Sequence, residues 1–273
     1  MPIHGLRFQA VITVISILVC GALIWNVGNA GRWSQAAAAS PRAADAPKEI
    51  QAPLPPPGNP NAQQPATPPA APPLPVDPTL VSRVKGEGKV VALTLDDGPW
   101  PEWTDKALSL LARYEVKATF CMVGQQAKDH PDLVRKVVAA GHTLCNHTMT
   151  HDINLKKKTP EQIHAQMQEA LEWIHKASPG TPVRWYRAPG GNWSDEVRQT
   201  AASLGMGSLH WTVDTNDWQK PGVDKMLQTV HSQLGPHGVI LCHDGGGERT
   251  QTIAMLDRLI PELKSAGYTF VTP

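Results

Sequence analysis

In the run VALTLDDGPW (91–100) an apolar strand ends in two adjacent carboxylates, Asp96 and Asp97, and Gly98 and Pro99 turn the chain straight after. Adjacent side chains on a strand point to opposite faces, so the two carboxylates are expected to do different jobs. Downstream, NHTMTHD (146–152) sets His147 and His151 four residues apart. On a helical turn that spacing projects both imidazoles from one face, which suits a metal ion. Two histidines joined by one aspartate of the pair make a three-ligand site, the number that catalytic zinc uses while keeping a position for water. Such an ion brings water to ionise near neutral pH and polarises a carbonyl oxygen. RAPGGNW (187–193) adds Arg187, whose guanidinium fork suits a buried carboxylate. It also adds glycines that let backbone N–H groups approach a ligand closely. DTNDW (214–218) and ILCHD (240–244) contribute further carboxylates and His243. His243 becomes a candidate acid where an aspartate fixes its tautomer and raises its pKa.

These clusters share a place: each ends an expected strand. Strands are predicted over 89–95, 117–124, 142–146, 183–189, 207–214, 238–244 and 268–271, where β-formers run between turn residues. Helical periodicity covers 104–114, 131–140, 160–176, 194–204, 222–234 and 250–265, with Gly141 stopping the second of these. Repeated βα units imply a mostly parallel sheet with helices outside. About seven units in roughly 190 residues are too few for a full eight-fold barrel and fit an α/β fold of the incomplete, distorted (β/α) barrel type. Chemistry in such folds sits at the strands' C-terminal ends, where all five clusters lie.

The chain has 273 residues and reads as three parts. Residues 8–27 carry no charge and are long enough to cross a bilayer, with Arg7 before them and Trp25 near the far edge. Residues 1–30 are therefore expected to be a signal-anchor, or a signal peptide cleaved near Ala30, with everything beyond exported and held at the outer face of the cytoplasmic membrane. Twelve prolines between Pro53 and Pro78 mark 31–79 as a semi-extended tether. Residues 80–273 form the remaining domain, expected to be a monomer, in which 21 basic residues balance 21 acidic ones. That balance gives no reason to expect nucleic acid, which calls for a basic stripe. In an exported protein the domain cysteines allow a Cys121–Cys145 disulfide, with Cys242 left over.

Five ordered motifs, TLDDGP (94–99), HTMTH (147–151), RAPGG (187–191), DTNDW (214–218) and LCH (241–243), resemble those of the NodB-type polysaccharide deacetylases, carbohydrate esterase family 4. The resemblance spans about 88–273 and implies a distorted (β/α) barrel and the removal of N-acetyl groups from an N-acetylglucosamine polymer. It assigns Asp97, His147 and His151 to a divalent metal, zinc first, with cobalt, nickel or manganese as alternatives. It makes Asp96 the general base and His243 the general acid, with Arg187 orienting Asp96 and Asp217 paired to His243. Leu241 and Trp218 would flank the acetyl methyl, and the Gly190 N–H would help bind the oxyanion. The family often carries an aromatic where this chain has Gly190, so Trp193, Trp185, Trp100 or Trp103 is expected to supply the missing groove wall. A membrane-tethered enzyme points to peptidoglycan first, then chitin or an exopolysaccharide. The rival readings are an O-acetyl esterase and a catalytically silent glycan-binding module. His142 and His210 are expected to be packed, and Asp214 and Asp244 to lie in support of the site.

Overall fold

A computed structural model describes residues 76–273. The reading of 1–30 as a membrane segment, and that of 31–79 as a tether except for its last four residues, lie outside the described residues. Among those described, no helix is long and apolar enough to cross a membrane.

Among the described residues nine parallel strands and seven α-helices follow one another, mostly in alternation. The strands are β1 (Leu80–Val81), β2 (Val90–Asp96), β3 (Thr119–Met122), β4 (Thr143–Asn146), β5 (Val183–Tyr186), β6 (Gly207–Leu209), β7 (Val213–Asp214), β8 (Gly238–His243) and β9 (Thr269–Phe270). The helices are α1 (Trp103–Arg113), α2 (Gly124–Asp129), α3 (Pro131–Ala139), α4 (Pro160–Ala177), α5 (Asp195–Ser203), α6 (Val223–Gln233) and α7 (Thr250–Ser265). The sheet order is β1-β6-β5-β4-β3-β2-β8-β7, with β9 also pairing β2. Every residue of β2 is buried, as expected for a parallel strand covered on both faces. Its Val91, Leu93 and Leu95 join Leu110, Leu111, Phe120, Leu256 and Ile260 in the main core under the helices. On the opposite face, Ala92 packs with Val84 and Val239, and Trp211 lies against them.

The sheet curls. Arg187, directly after β5, donates from Nη1 to Asp96 Oδ1 on β2 at 2.6 Å, although β4 and β3 lie between those strands. In a flat sheet three strand spacings would hold the two strands about 14 Å apart. Residues 207–214, expected as one strand, are two. β6 pairs β5 at one end of the sheet, whereas β7 pairs β8 at the other. His210–Thr212 bridge the gap, with His210 N–H donating to Val81 O and Thr212 N–H to Val239 O. One chain run thus spans the opening of the barrel, which is the distortion that the element count foreshadowed.

One local feature departs from the sequence reading and another follows it. Gly124, expected to close a strand, begins α2; a Cβ there would come within 2.6 Å of the Ala170 Cα on α4, so the glycine permits that close helix packing. α4 starts as sequence rules dictate, on a Thr159–Gln162 capping box with Pro160 in its first turn.

Candidate active site

β2 places the site. Asp96, its last residue, is in register with Cys121 of β3 and with His243 of β8, so a carboxylate and an imidazole stand side by side at two strand ends. Asp96 is buried, and its two oxygens divide their contacts. Oδ1 accepts from Arg187 Nη1, which also donates to Thr94 Oγ1, while Oδ2 lies 3.6 Å from His147 Nε2. Arg187 is wholly buried, and its Nε donates to Leu209 O.

Asp97 is not on the strand. Its φ of 73° is left-handed, so the chain turns there and the carboxylate swings back toward its neighbour's side. Pleat alternation predicts two roles for the pair, but this backbone twist, and not opposite facing, separates them. Asp97 Oδ1 lies 3.5 Å from His147 Nε2 and 3.2 Å from His151 Nε2, with no hydrogen-bond partner of its own. The turn packs tightly, because a Cβ on Gly98 would fall 2.4 Å from the Asp244 carboxylate. Asp244 Oδ2 accepts from Thr104 Oγ1, which accepts in turn from Trp100 N–H. Burial lifts the Asp244 carboxyl to about 7.

The two histidines are not on a helical turn. Residues 147–151 form an irregular loop in which Thr148 and His151 take left-handed φ values of 65° and 56°. Side chains stabilise it: Asn146 Oδ1 accepts from Thr148 N–H, and Thr148 Oγ1 accepts from His151 N–H. The carbonyls of Thr148 and Met149 accept the first two N–H groups of α2. The rings still meet, with centroids 4.9 Å apart. His147 Nδ1 bonds to the Arg187 carbonyl at 2.8 Å, which fixes the tautomer that leaves Nε2 free toward Asp97.

Asp97, His147 and His151 thus present three ligand atoms within 4.8 Å of one another, and the unpartnered Asp97 Oδ1 is the kind of orphaned buried acceptor that a cation would satisfy. Burial alone would raise the Asp97 carboxyl. The His147, His243 and His151 imidazoles reverse that and hold it well below the usual carboxylate range. The donor set fits a divalent ion of the zinc type.

His243 Nδ1 bonds to Asp217 Oδ1 at 2.7 Å, and Asp217 Oδ2 accepts from His243 N–H and from Thr252 Oγ1. Burial pushes the imidazole down. The hydrogen bond and charge of Asp217, with the charges of Asp97 and Asp96, more than offset this and lift it to about 9.

A cavity of about 220 Å³ opens above these groups, lined by Asp96, Asp97, His147, His151, Ala188, Gly190, Trp211, Asp214, Trp218, Leu241 and His243. Gly190, Trp218 and Leu241 are therefore on its wall, and Trp218 is 54% exposed. Trp193 is not. It packs edge-on against Tyr186 and donates from Nε1 to His210 Nδ1. Trp103 is buried, and Trp185 donates to Pro273 O, away from the site. Besides Trp218, the wall carries Trp211, an aromatic that the sequence reading overlooked; a Cβ on Gly191 would meet its indole at 2.7 Å, so that glycine makes its room. His142 is packed, accepting at Nδ1 from Ala118 N–H. Cys121 and Cys145, paired in register on β3 and β4, form a disulfide, and Cys242 is free and buried.

A family model for polysaccharide deacetylase matches residues 83–209. A chitooligosaccharide deacetylase of Sinorhizobium fredii is 43% identical over 188 residues, covering 65% of this chain and 87% of the relative. A peptidoglycan-N-acetylglucosamine deacetylase of Bacillus cereus is 36% identical over 191 residues, covering 69% and 88%. Among solved structures, a carbohydrate esterase family 4 pseudoenzyme from Bacillus anthracis superposes with a TM-score of 0.67 at 32% identity, covering 72% of this chain and 68% of that one.

Proposed function

The chain belongs to the polysaccharide deacetylase family, carbohydrate esterase family 4, and from that premise we propose that it hydrolyses the N-acetyl group of N-acetylglucosamine residues in a polysaccharide. The observation that carries the reading is the side-by-side placement of Asp96 and His243 at adjacent strand ends, each with its own buried partner and both facing one cavity. Asp97, His147 and His151 would hold a divalent cation, zinc first. Bound there, it would supply Lewis acidity to a water molecule and to the acetamide carbonyl.

The chain's own residues do the rest. Arg187 occupies Asp96 Oδ1, which leaves Oδ2 to take a proton from the attacking water. The Gly190 backbone lines the cavity where the carbonyl oxygen would lie, and its N–H is the proposed donor to the developing oxyanion. Asp217 holds His243 Nδ1, so Nε2 carries the proton that reaches the leaving nitrogen. Leu241 and Trp218 bound the space for the acetyl methyl. Collapse of the tetrahedral adduct then gives acetate and a free amino sugar. The full set of base, acid and ligands supports an active enzyme over the silent-module reading.

The polymer is proposed to lie outside the cytoplasmic membrane, in keeping with an anchor at residues 8–27, and peptidoglycan and chitin-type chains are the two leading substrates. Incubation of the protein plus zinc with peptidoglycan, chitooligosaccharides and acetylated xylan tests this. Acetate release from the first or second supports the proposal. Release from xylan alone would make it an esterase, and no release from any would defeat the enzyme reading.

A further inference from the structure

A covalent link crosses two strands beneath the site. Cys121 and Cys145 stand in register on β3 and β4, and Cys121 is also in register with Asp96 on β2. Leu95, Phe120, Met122 and Leu144 face the main core, so by pleat alternation Asp96, Cys121 and Cys145 share the barrel's inner face. Both cysteines are buried. The pairing of β3 with β4 runs without a slip from Thr119 and Thr143 to Met122 and Asn146, so the ladder needs no covalent help to form.

What the link joins lies one or two residues further on. After Cys121, Val123 N–H donates to Gly98 O at 3.0 Å, which fastens the end of β3 to the turn that presents Asp97. After Cys145, Asn146 is wholly buried at the root of the loop that carries His147 and His151. Its Nδ2 donates to Met167 O, and its Oδ1 accepts from Thr148 N–H. His147 N–H closes the circuit by donating to Met122 O at 2.9 Å. On its other side β4 is held less regularly, because its register with β5 shifts between Leu144 and Cys145. The loop beyond contains the left-handed residues Thr148 and His151, a conformation that persists only where its surroundings enforce it. The disulfide therefore fixes the spacing between the support of Asp97 and the support of both histidines.

Resting on the deacetylase reading and its cation site, we propose that the Cys121–Cys145 disulfide is a positioning element for the metal ligands, so that zinc affinity depends on its oxidation state. With the two supports held at a fixed spacing, the three ligands meet the ion with little left to order. With the thiols free, the end of β4 can shift against β3, and binding must first fix the two supports. The effect is reciprocal: the factor that the disulfide adds to zinc affinity, bound zinc adds to the stability of the disulfide against thiols. Disulfides persist in oxidising compartments, so metal uptake would follow oxidation in a chain exported as proposed.

Zinc binding is measured on the full-length chain by competition with a chromophoric chelator, which does not depend on turnover. Cys121→Ser/Cys145→Ser and the apolar pair Cys121→Val/Cys145→Ala are compared with the native chain, each checked for folding by circular dichroism. Leu259→Ala, in a buried core residue of α7 outside the cavity lining, serves as a destabilised control. The cysteine variants should bind zinc at least about tenfold more weakly, the loss expected when a metal's outer partners are removed, and Leu259→Ala should keep the native affinity. In the native chain, reduction by glutathione consumes two of its thiols and yields one glutathione disulfide per cross-link. Saturating zinc should move that equilibrium toward the cross-link by the same factor. Native affinity in either folded cysteine variant, a matching loss in Leu259→Ala, or a thiol equilibrium indifferent to zinc would overturn the positioning role. No zinc uptake by the native chain would instead remove the cation site of the proposed function, and the positioning role with it.

Discussion

Replacing Asp217 by asparagine probes the acid directly. In the native arrangement Asp217 Oδ1 bonds His243 Nδ1 at 2.7 Å and its charge helps hold the imidazole at about 9. Oδ2 accepts from two donors, His243 N–H and Thr252 Oγ1. An asparagine must keep its oxygen at that second position, which turns its NH₂ group toward His243 Nδ1 and removes the acceptor that the imidazolium needs. Burial, the largest influence on His243 and one that lowers its pKa, is then less opposed, and the value falls toward the ordinary 6.5 or below. The sign follows: His243 loses its proton at a lower pH, so the alkaline limb of the rate profile moves to lower pH. At pH 8 a group with a pKa of about 9 is about 90% protonated and one at 6.5 about 3%, a loss of about 30-fold in rate. At pH 6 the same comparison leaves less than about a twofold deficit. A cation at Asp97 cancels part of that residue's pull in both proteins and leaves the contribution of Asp217 intact. The assay is acetate release from a chitooligosaccharide between pH 5.5 and 9.5 for both proteins. A deficit that stays constant across that range would refute the assignment of His243 as an acid tuned by Asp217.

Other substitutions test the scaffold beneath the chemistry. Arg187→Met leaves Asp96 buried without its partner and should lower stability by about 3–5 kcal/mol in urea unfolding, with much of that regained in the Arg187→Met/Asp96→Asn double variant. Replacing both Cys121 and Cys145 with serine removes a link across 24 residues of sequence. This should cost about 3 kcal/mol, and a reducing agent should then shift the urea midpoint of the native chain but not of the variant. Gly98→Ala puts a methyl group against the Asp244 carboxylate and should lower the melting temperature by an amount equivalent to about 1–3 kcal/mol; Asp244→Ala in the same chain should restore part of it.

Much of this molecule is legible in its residues. The strand ends that carry Asp96, His147, Arg187, Asp217 and His243 are marked by apolar runs that stop at polar clusters, and α4 and α7 announce themselves by their period. What escapes is tertiary. Nothing local in 207–214 says that its first half joins one end of the sheet and its second half the other, because β-propensity does not encode which edge a strand meets. Trp211 is hidden in that same run, and its place against Gly191 depends on the barrel's closure. The left-handed turns at Asp97, Thr148 and His151 are unusual for such residues, and they bring the three candidate ligands together by a route that neither pleat nor helix periodicity describes. α2 is six residues long and opens on a glycine, too short for its period to register.

The division of labour between Asp96 and Asp97 is the centre of the account, and the metal content of two variants measures it. After equilibration with zinc and removal of the excess, Asp96→Asn is predicted to retain about as much zinc as the native chain while releasing no acetate, and Asp97→Asn to retain almost none. Loss of zinc from Asp96→Asn, or its full retention by Asp97→Asn, would contradict the assignment of one aspartate as base and the other as ligand.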